Sequence, residues 1–298
     1  MGSTRLGRVQ PGATGIFAGS LAAQPAAVIR EVVGELEELG FGTLWYGEAI
    51  GREAFAFGAL LLAAGRRLVV ASGIANIWVR DPTAMANGAR ALQDGWPDRF
   101  ILGLGVSHAP MVGSRGHPYA RPVSSMRQYL ERLAAAAWRG PEVELPPIVL
   151  AALGPMMVGL AAERTAGVYP YFTSTEHVRA IREAMGDEPF VAADLPVVLA
   201  RDRATARQIG DRHMSLYLRT ANYRNNLLRL GWPAAELEPP GSDRLFDAIV
   251  VWGDVDAVGR GVATMRAAGA DHVVLNLVTA DPTIPFREEL RALSRLNR

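Results

Sequence analysis

The run Phe100-Ile101-Leu102-Gly103-Leu104 has no polar side chain on either face. A strand wetted on one side alternates apolar and polar residues, whereas a run without a polar face suits burial on both sides, the habit of parallel sheets. Seven other short runs read as strands: Gly15–Phe17, Thr43–Tyr46, Leu68–Ala71, Ile148–Ala152, Gly167–Tyr169, Phe190–Leu199 and His272–Leu277. Pro196 interrupts the seventh in chain order. Helical stretches lie between them. Ile29, Val32, Val33, Leu36 and Leu39 recur at helical spacing after Pro25, and Gly40 closes them. Glu53–Ala64 is rich in Ala and Leu, and Asp81-Pro82 opens a helix to about Gln93 with Asp as cap and Pro in the first turn. Pro122–Trp138, Met156–Arg164, a segment opened by a Thr173/Glu176 capping box, Asp254–Ala268 and Ile284–Leu296 complete the set. Residues Asp202 to about Trp232 read as helical with no strand. Ser242 caps a helix through Val251, or Ala248–Trp252 is itself a strand.

Eight strands alternating with helices imply parallel pairing and right-handed crossovers. The expected fold is an α/β (β/α)8 TIM barrel with helical insertions, residues 202–251 forming one before the last strand. A doubly wound open sheet competes, but no first strand carries a Gly-x-Gly-x-x-Gly that opens a helix. Residues 1–12 are polar and Gly-rich and read as a flexible N-terminus, leaving 13–298 as one domain.

Composition narrows the chemistry. A net charge of +1 gives no reason to expect nucleic acid or an anionic membrane as a partner. The chain has no cysteine, so thiolate nucleophiles, disulfides and thiolate metal sites are excluded. Every basic residue other than histidine is arginine, which excludes lysine Schiff-base chemistry. The five histidines form no close pair with carboxylates, so no metal site is expected. There is no Gly-x-Ser-x-Gly elbow or Walker loop. No stretch reads as a signal-peptide core or a membrane span, which points to a cytoplasmic protein.

In such barrels the site lies at the C-terminal ends of the strands. Those ends carry Glu48; Ser72, Gly73 and Asn76; Gly103, Gly105, Ser107 and His108; Leu153, Gly154 and Pro155; and Asn276. Gly103 and Gly105 let a ligand approach the backbone, or simply make a tight turn. Leu153-Gly154-Pro155 leaves the N–H groups of Met156 and Met157 uncovered, an anion seat, or is a tight strand-to-helix turn. Small polar groups, glycine, Trp78 and Met156 suit a flat cofactor better than direct hydrolysis.

The chain resembles the luciferase-like oxidoreductase superfamily, in particular its branch of coenzyme F420 (deazaflavin)-dependent oxidoreductases. The matching stretches are Leu44–Ala49 with Gly51–Ala54, Ser72–Ile77 with Arg80-Asp81-Pro82, Arg99–Pro110, Leu150–Pro155, Asn222–Asn226, and Trp252-Gly253-Asp254 with Ala268–Val273. The resemblance implies a usually homodimeric barrel that moves hydride between F420, or alternatively FMN, and a small organic substrate. It places the coenzyme against Ser72, Gly73, Ile74 and Asn76; against Gly103, Leu104, Gly105, Val106 and Ser107; and against Ala152, Leu153, Gly154, Pro155 and Met156, the last group taking the phosphate. It also implies a non-proline cis peptide at Ser72-Gly73 or Gly73-Ile74. Many relatives carry a His after the acidic residue of the second strand, where this chain has Ala49. Glu48 and His108 are then the candidate catalytic residues. Glu48 reads equally as a salt-bridge partner of Arg52 or Arg80, and His108 as a loop residue bonded to backbone. Besides the F420 enzyme, an FMN monooxygenase and a barrel that binds cofactor without turnover remain as readings.

Overall fold

The computed structural model describes residues 4–17, 19–281 and 285–297. Nine parallel strands form one sheet: β1 (Thr14–Phe17), β2 (Thr43–Gly47), β3 (Val69–Asn76), β4 (Phe100–Gly105), β5 (Ile148–Leu150), β6 (Gly167–Val168), β7 (Phe190–Leu199), β8 (Val251–Gly253) and β9 (His272–Leu277). β1 pairs with both β2 and β9, and β7 with both β6 and β9, so β1–β7 and β9 close a ring of eight. The short β8 lies along the far end of β7, with Val197 opposite Val251. The result is a (β/α)8 barrel.

Twelve α-helices accompany the strands: α1 (Ala26–Glu38), α2 (Ala54–Ala64), α3 (Pro82–Gly95), α4 (Ala109–Gly113), α5 (Pro122–Ala134), α6 (Pro155–Arg164), α7 (Thr175–Met185), α8 (Arg203–Leu218), α9 (Ala221–Arg229), α10 (Asp243–Ile249), α11 (Val255–Ala267) and α12 (Arg287–Leu293). Both faces of the strands are buried, which is why their sequences lack a polar face. Leu44, Val70, Leu102, Leu150 and Val273 pack outward beneath the helices. Trp45, Ala71, Ile101, Val149, Ala192 and Val274 fill the interior. There Trp45 stacks on Tyr169, with ring centroids 4.6 Å apart.

Most helix starts follow the sequence signals. Asp81 caps α3 by accepting from the N–H groups of Thr83 and Ala84 at 2.8 and 3.1 Å. The cap of α7 falls one residue later than the expected Thr173. Ser174 Oγ accepts from the His177 N–H, while Thr173 Oγ1 turns to His177 Nδ1 at 2.7 Å. α5 stops at Ala134, short of Trp138. The ambiguous run 248–252 divides: α10 ends at Ile249 and β8 begins at Val251. Residues 202–232 form two helices, α8 and α9, joined at Arg219-Thr220. Within 1–12, Leu6 and Val9 are buried, and Arg5 donates to the Ala162 carbonyl at 2.6 Å. Ile284, the expected start of the last helix, lies outside the described residues.

Candidate active site

The strand tips gather on one rim, and β3 gives it a defined irregularity. Ser72 pairs with Tyr46 and Leu102, but the next paired residues are Ile74 on one side and Ala75 on the other. Gly73 is therefore a bulge. Among the described residues the one cis peptide is Pro239–Pro240, so the expected cis bond at Ser72-Gly73 or Gly73-Ile74 is not present. The extra residue is taken up in trans because Ser72 Oγ replaces the interrupted ladder. It accepts from the Gly103 N–H at 3.1 Å and donates to the Gly103 carbonyl at 3.2 Å.

The rim glycines are filled by the protein itself. A Cβ on Gly103 would stand 1.8 Å from the Ser72 carbonyl oxygen, one on Gly73 2.7 Å from the Tyr169 ring, and one on Gly105 2.5 Å from Ile74 Cγ2. Glycine is needed there for close approach of strand to strand and strand to ring.

Glu48 is buried at the end of β2 and forms a two-pronged ion pair with Arg80, one arm at 2.9 Å. Its carboxylate also accepts from the N–H groups of Ala54 and Asn76 at 3.0 and 2.9 Å. Burial pushes its pKa up, but Arg80 and the backbone donors outweigh that and hold it below the usual carboxylate range. Arg52 instead donates to the carbonyls of Ala22 and Gln24. Asn76 Oδ1 accepts from the Trp78 N–H, an Asx turn closing β3.

A narrow slot of about 60 Å³ lies at the tips of β3, β4 and β5, lined among others by Ile74, Val106, His108, Ala152, Leu153 and Tyr223. Ser107, also on its wall, has φ +56°, uncommon for a residue with a Cβ and typical of functional turns. His108 is half-buried, and its Nδ1 has no hydrogen-bond partner among the described residues. Burial pulls its pKa down, partly offset by a bond with Asn222. α9 thus covers the slot, through Asn222 and Tyr223.

At the edge of the slot Gly154 caps α6 without a side-chain bond. The Met157 N–H turns back to the Gly154 carbonyl at 3.1 Å, so of the two expected N–H groups Met156 is the one left for an outside acceptor. Met156 itself is 74 % exposed. Arg229 Nη1 would lie 3.5 Å from a Cβ on Gly154, and Arg229 Nη2 donates to the Leu153 carbonyl at 2.9 Å. No carboxylate pairs with Arg229 among the described residues. A cation without a carboxylate beside an uncovered helix N-terminus suits an anion.

Tyr171 forms part of the slot wall and also faces a second chamber of about 720 Å³ between α8 and the ends of β1 and β9. This chamber is lined by residues the strand-end survey does not reach, His213 and Tyr217 of α8 among them, together with Asn276 of β9, which it does. Sequence spacing puts His213 and Tyr217 on one face of a helix, but only the placing of the insertion puts that face over the barrel mouth. Below it Asp194 of β7 is fully buried and accepts from the Phe172 N–H at 3.1 Å. Phe172 has φ +53°, a strained conformation for a bulky residue that this bond helps to fix. Burial pushes the Asp194 carboxyl up to about 8 against the Phe172 N–H and Asn276.

A closed parallel barrel with a slot and a chamber on its C-terminal rim defines the (β/α)8 class. The chain belongs to the luciferase-like monooxygenase family, whose profile matches residues 12–272. It is 28 % identical, over 90 % of its length and 95 % of the relative's, to a Mycobacterium tuberculosis protein named as a putative coenzyme F420-dependent oxidoreductase. Solved structures share the fold. An F420-dependent secondary alcohol dehydrogenase in complex with an F420-acetone adduct superposes with a TM-score of 0.73 at 14 % identity, covering 96 % of this chain and 98 % of that one. The F420-dependent tetrahydromethanopterin reductase of Methanopyrus kandleri gives 0.72 at 17 % identity, with 96 % of each chain covered. The oxygenating constituent of 3,6-diketocamphane monooxygenase from Pseudomonas putida, in complex with FMN, gives 0.70 at 13 % identity, again with 96 % of each covered.

Proposed function

We propose that this oxidoreductase-family barrel binds coenzyme F420 and uses it to exchange a hydride with a small organic substrate. The observation that carries the reading is the anion seat at α6, where the Met156 N–H is uncapped and Arg229, its Nη2 held by the Leu153 carbonyl and Asn226 Oδ1, keeps Nη1 beside Gly154 without a carboxylate partner. The residues fit such a coenzyme in two places. The α6 end suits its phosphate. The slot of about 60 Å³ along Val106–His108 and Ala152–Leu153 would admit only a small part of it, and the unpartnered His108 Nδ1 and Tyr169 Oη offer polar contacts there. The chamber of about 720 Å³ falls in the size range that buries a small organic substrate beside the coenzyme.

Bound there, a deazaflavin supplies a two-electron hydride carrier. The protein's part is to bind, orient and exclude water. The β3 bulge and Tyr169 form a stiff floor, and Tyr223 roofs the slot. His108, neutral through burial, is available as a hydrogen-bonding group, while Glu48 serves to join β2, α2 and β3. The preference for F420 over FMN is supported by the Mycobacterium tuberculosis relative's name. The homodimer belongs to the same reading and rests on the family resemblance.

Separate titrations of the apo protein with F420 and with FMN test this. Micromolar binding of F420 is expected. Micromolar FMN with no F420 binding replaces the reading with that of an FMN monooxygenase. Gly154→Val is compatible with the local backbone, φ −84° and ψ 152°, but crowds Arg229. It and Arg229→Gln should each weaken F420 binding about tenfold or more, which is about 1.4 kcal/mol, with thermal stability unchanged. Full affinity in both variants would remove the phosphate from this seat.

A further inference from the structure

The chamber carries a hydroxyl pair with a direction built into it. Asn276 Nδ2 donates to Tyr171 Oη at 2.8 Å, and the Oη atoms of Tyr171 and Tyr217 stand 2.8 Å apart. An amide nitrogen only donates, so Tyr171 is the acceptor in the first bond. Tyr171 is 6 % exposed and must still place its own proton, because a buried O–H left unmade is costly. Tyr217 Oη is the acceptor within reach. The chain therefore runs from Asn276 to Tyr171 to Tyr217, and the proton of Tyr217 is left to point to something else. Aligned hydrogen bonds of this kind polarise one another, which makes the terminal hydroxyl a better donor.

Tyr217 is on the chamber wall, so that something is a ligand. The rest of the lining says which kind. Phe17, Ile209, Leu277 and Phe286 are apolar, Thr205, Gln208 and Thr279 are polar, Arg212 is cationic, and no lining residue among those described is acidic. His213 packs edge-on against Tyr217 with ring centroids 4.8 Å apart, and its Nε2 is buried with no partner among the described residues. The chamber thus offers an apolar bed with a hydroxyl donor and an unused ring nitrogen at one end, and nothing to attract a cation.

We propose that Tyr217 is the catalytic acid for a carbonyl oxygen of a non-cationic substrate with an apolar part, bound in this chamber, with Tyr171 and Asn276 as positioning residues. This rests on the oxidoreductase reading above. As the carbonyl carbon takes up a hydride, with its electron pair, from a reduced deazaflavin or flavin, the Tyr217 O–H bond breaks and a new O–H bond forms on the substrate oxygen. The phenolate left behind accepts the Tyr171 hydrogen bond until solvent returns the proton. With the reduced coenzyme counted as its anion, the balance is one carbonyl reduced to an alcohol, one coenzyme oxidised and one proton drawn from water. The tyrosines at the mouth differ in the sense this requires. Burial drives Tyr169, Tyr171 and Tyr223 far above the ordinary range; it raises Tyr217 too, but the bond from Tyr171 works against it and the group lies at about 12.

The test uses the full-length apo protein and 4-nitrophenol, whose phenolate oxygen stands in for the substrate oxygen as it gains charge. Equilibrium titration by visible absorbance reads both affinity and the ionisation of the bound probe. Wild type is expected to bind it saturably, in its phenolate form. Tyr217→Phe, close to isosteric, should weaken binding about tenfold or more and lose the phenolate signature. Tyr171→Phe, which leaves Tyr217 in place, should weaken it about threefold and shift the bound probe towards its neutral form. F420 affinity should stay within about twofold in both variants. Wild-type binding that is absent, or a Tyr217→Phe value within about twofold of wild type, overturns the proposal. So does an equal loss of F420 affinity, which would assign Tyr217 to the coenzyme. If neither F420 nor FMN binds wild type while the nitrophenol losses occur, the Tyr217 site stands and the coenzyme reading falls.

Discussion

Two carboxylate oxygens on Glu48 serve both arms of Arg80 and the backbone N–H groups of Ala54 and Asn76. A carboxylate so engaged has no lone pair readily given to a substrate proton, and its lowered pKa keeps it ionised at neutral pH. Removing the charge strands a mostly buried guanidinium, whose remaining carboxylate partner, Glu53, is about half exposed. Breaking a buried pair costs roughly 3–5 kcal/mol, towards the lower figure where a second partner remains. Glu48→Gln should therefore unfold at markedly lower urea while the folded fraction keeps its coenzyme affinity. A variant of wild-type stability that had lost turnover would return Glu48 to the role of acid or base. From sequence alone Arg52 and Arg80 were equal candidates as its partner, because both are close in the chain to the same rim. Tyr217 was out of reach for a different reason: its partner Tyr171 and, bonded to that in turn, Asn276 sit 46 and 59 residues away and meet only when the barrel closes.

At the scale of elements, the β3–β4 pair decides the shape of the rim. Its bulge depends on one hydroxyl that both donates and accepts. Ser72→Ala would leave the Gly103 N–H and carbonyl without that partner inside the sheet, each worth roughly 1–3 kcal/mol if unsatisfied. Gly103→Ala would place a Cβ 1.8 Å from a backbone oxygen that cannot yield without moving the strand. Urea denaturation should show Ser72→Ala folded but destabilised, and Gly103→Ala largely insoluble or unfolded. A well-folded Gly103→Ala protein would show that the strands can part there. The strands were legible because two-sided burial leaves a continuous apolar run. The cap at Asp81 was legible because a short acidic side chain before a Pro-led helix has few other uses, whereas Asp202 and Asp254, read only as the starts of helical stretches, prove to be caps as well. The irregularity at Gly73 was reached only through the family resemblance, which missed its peptide geometry, since either a cis or a trans bond can absorb an extra residue. The division at Val250 was hidden because one apolar run serves both the end of α10 and the start of β8.

Across the whole molecule, the barrel was readable from alternation alone, whereas the charge state of its interior was not, because burial is a property of the closed ring. That interior sets a pH dependence. Burial pushes His177, His213 and His272 down to about 4 from an ordinary 6.5. His272 shows why: its Nδ1 faces the Gly12 carbonyl while Nε2 accepts from Trp45, an arrangement only the neutral ring can make. Between about pH 4 and 6.5 the unfolded chain binds more protons at these three sites, so their stabilisation is complete above 6.5 and is lost as pH falls through that window. Asp194 acts in the opposite sense. Its folded pKa of about 8 lies above the ordinary 3.8, so the folded chain holds the extra proton between those values. Stability from this site falls as pH rises towards 8. Below 6.5 the three histidines outweigh the one aspartate, and above it the aspartate acts alone. Melting temperature should therefore peak near pH 6.5, fall steeply towards 4 and decline gently towards 8. Asp194→Asn keeps an oxygen for the Phe172 N–H but cannot ionise. It should abolish the alkaline decline and leave the acid limb in place. Differential scanning fluorimetry from pH 4.5 to 9 on both proteins reads this directly, and an alkaline decline that persists in Asp194→Asn would place its origin elsewhere.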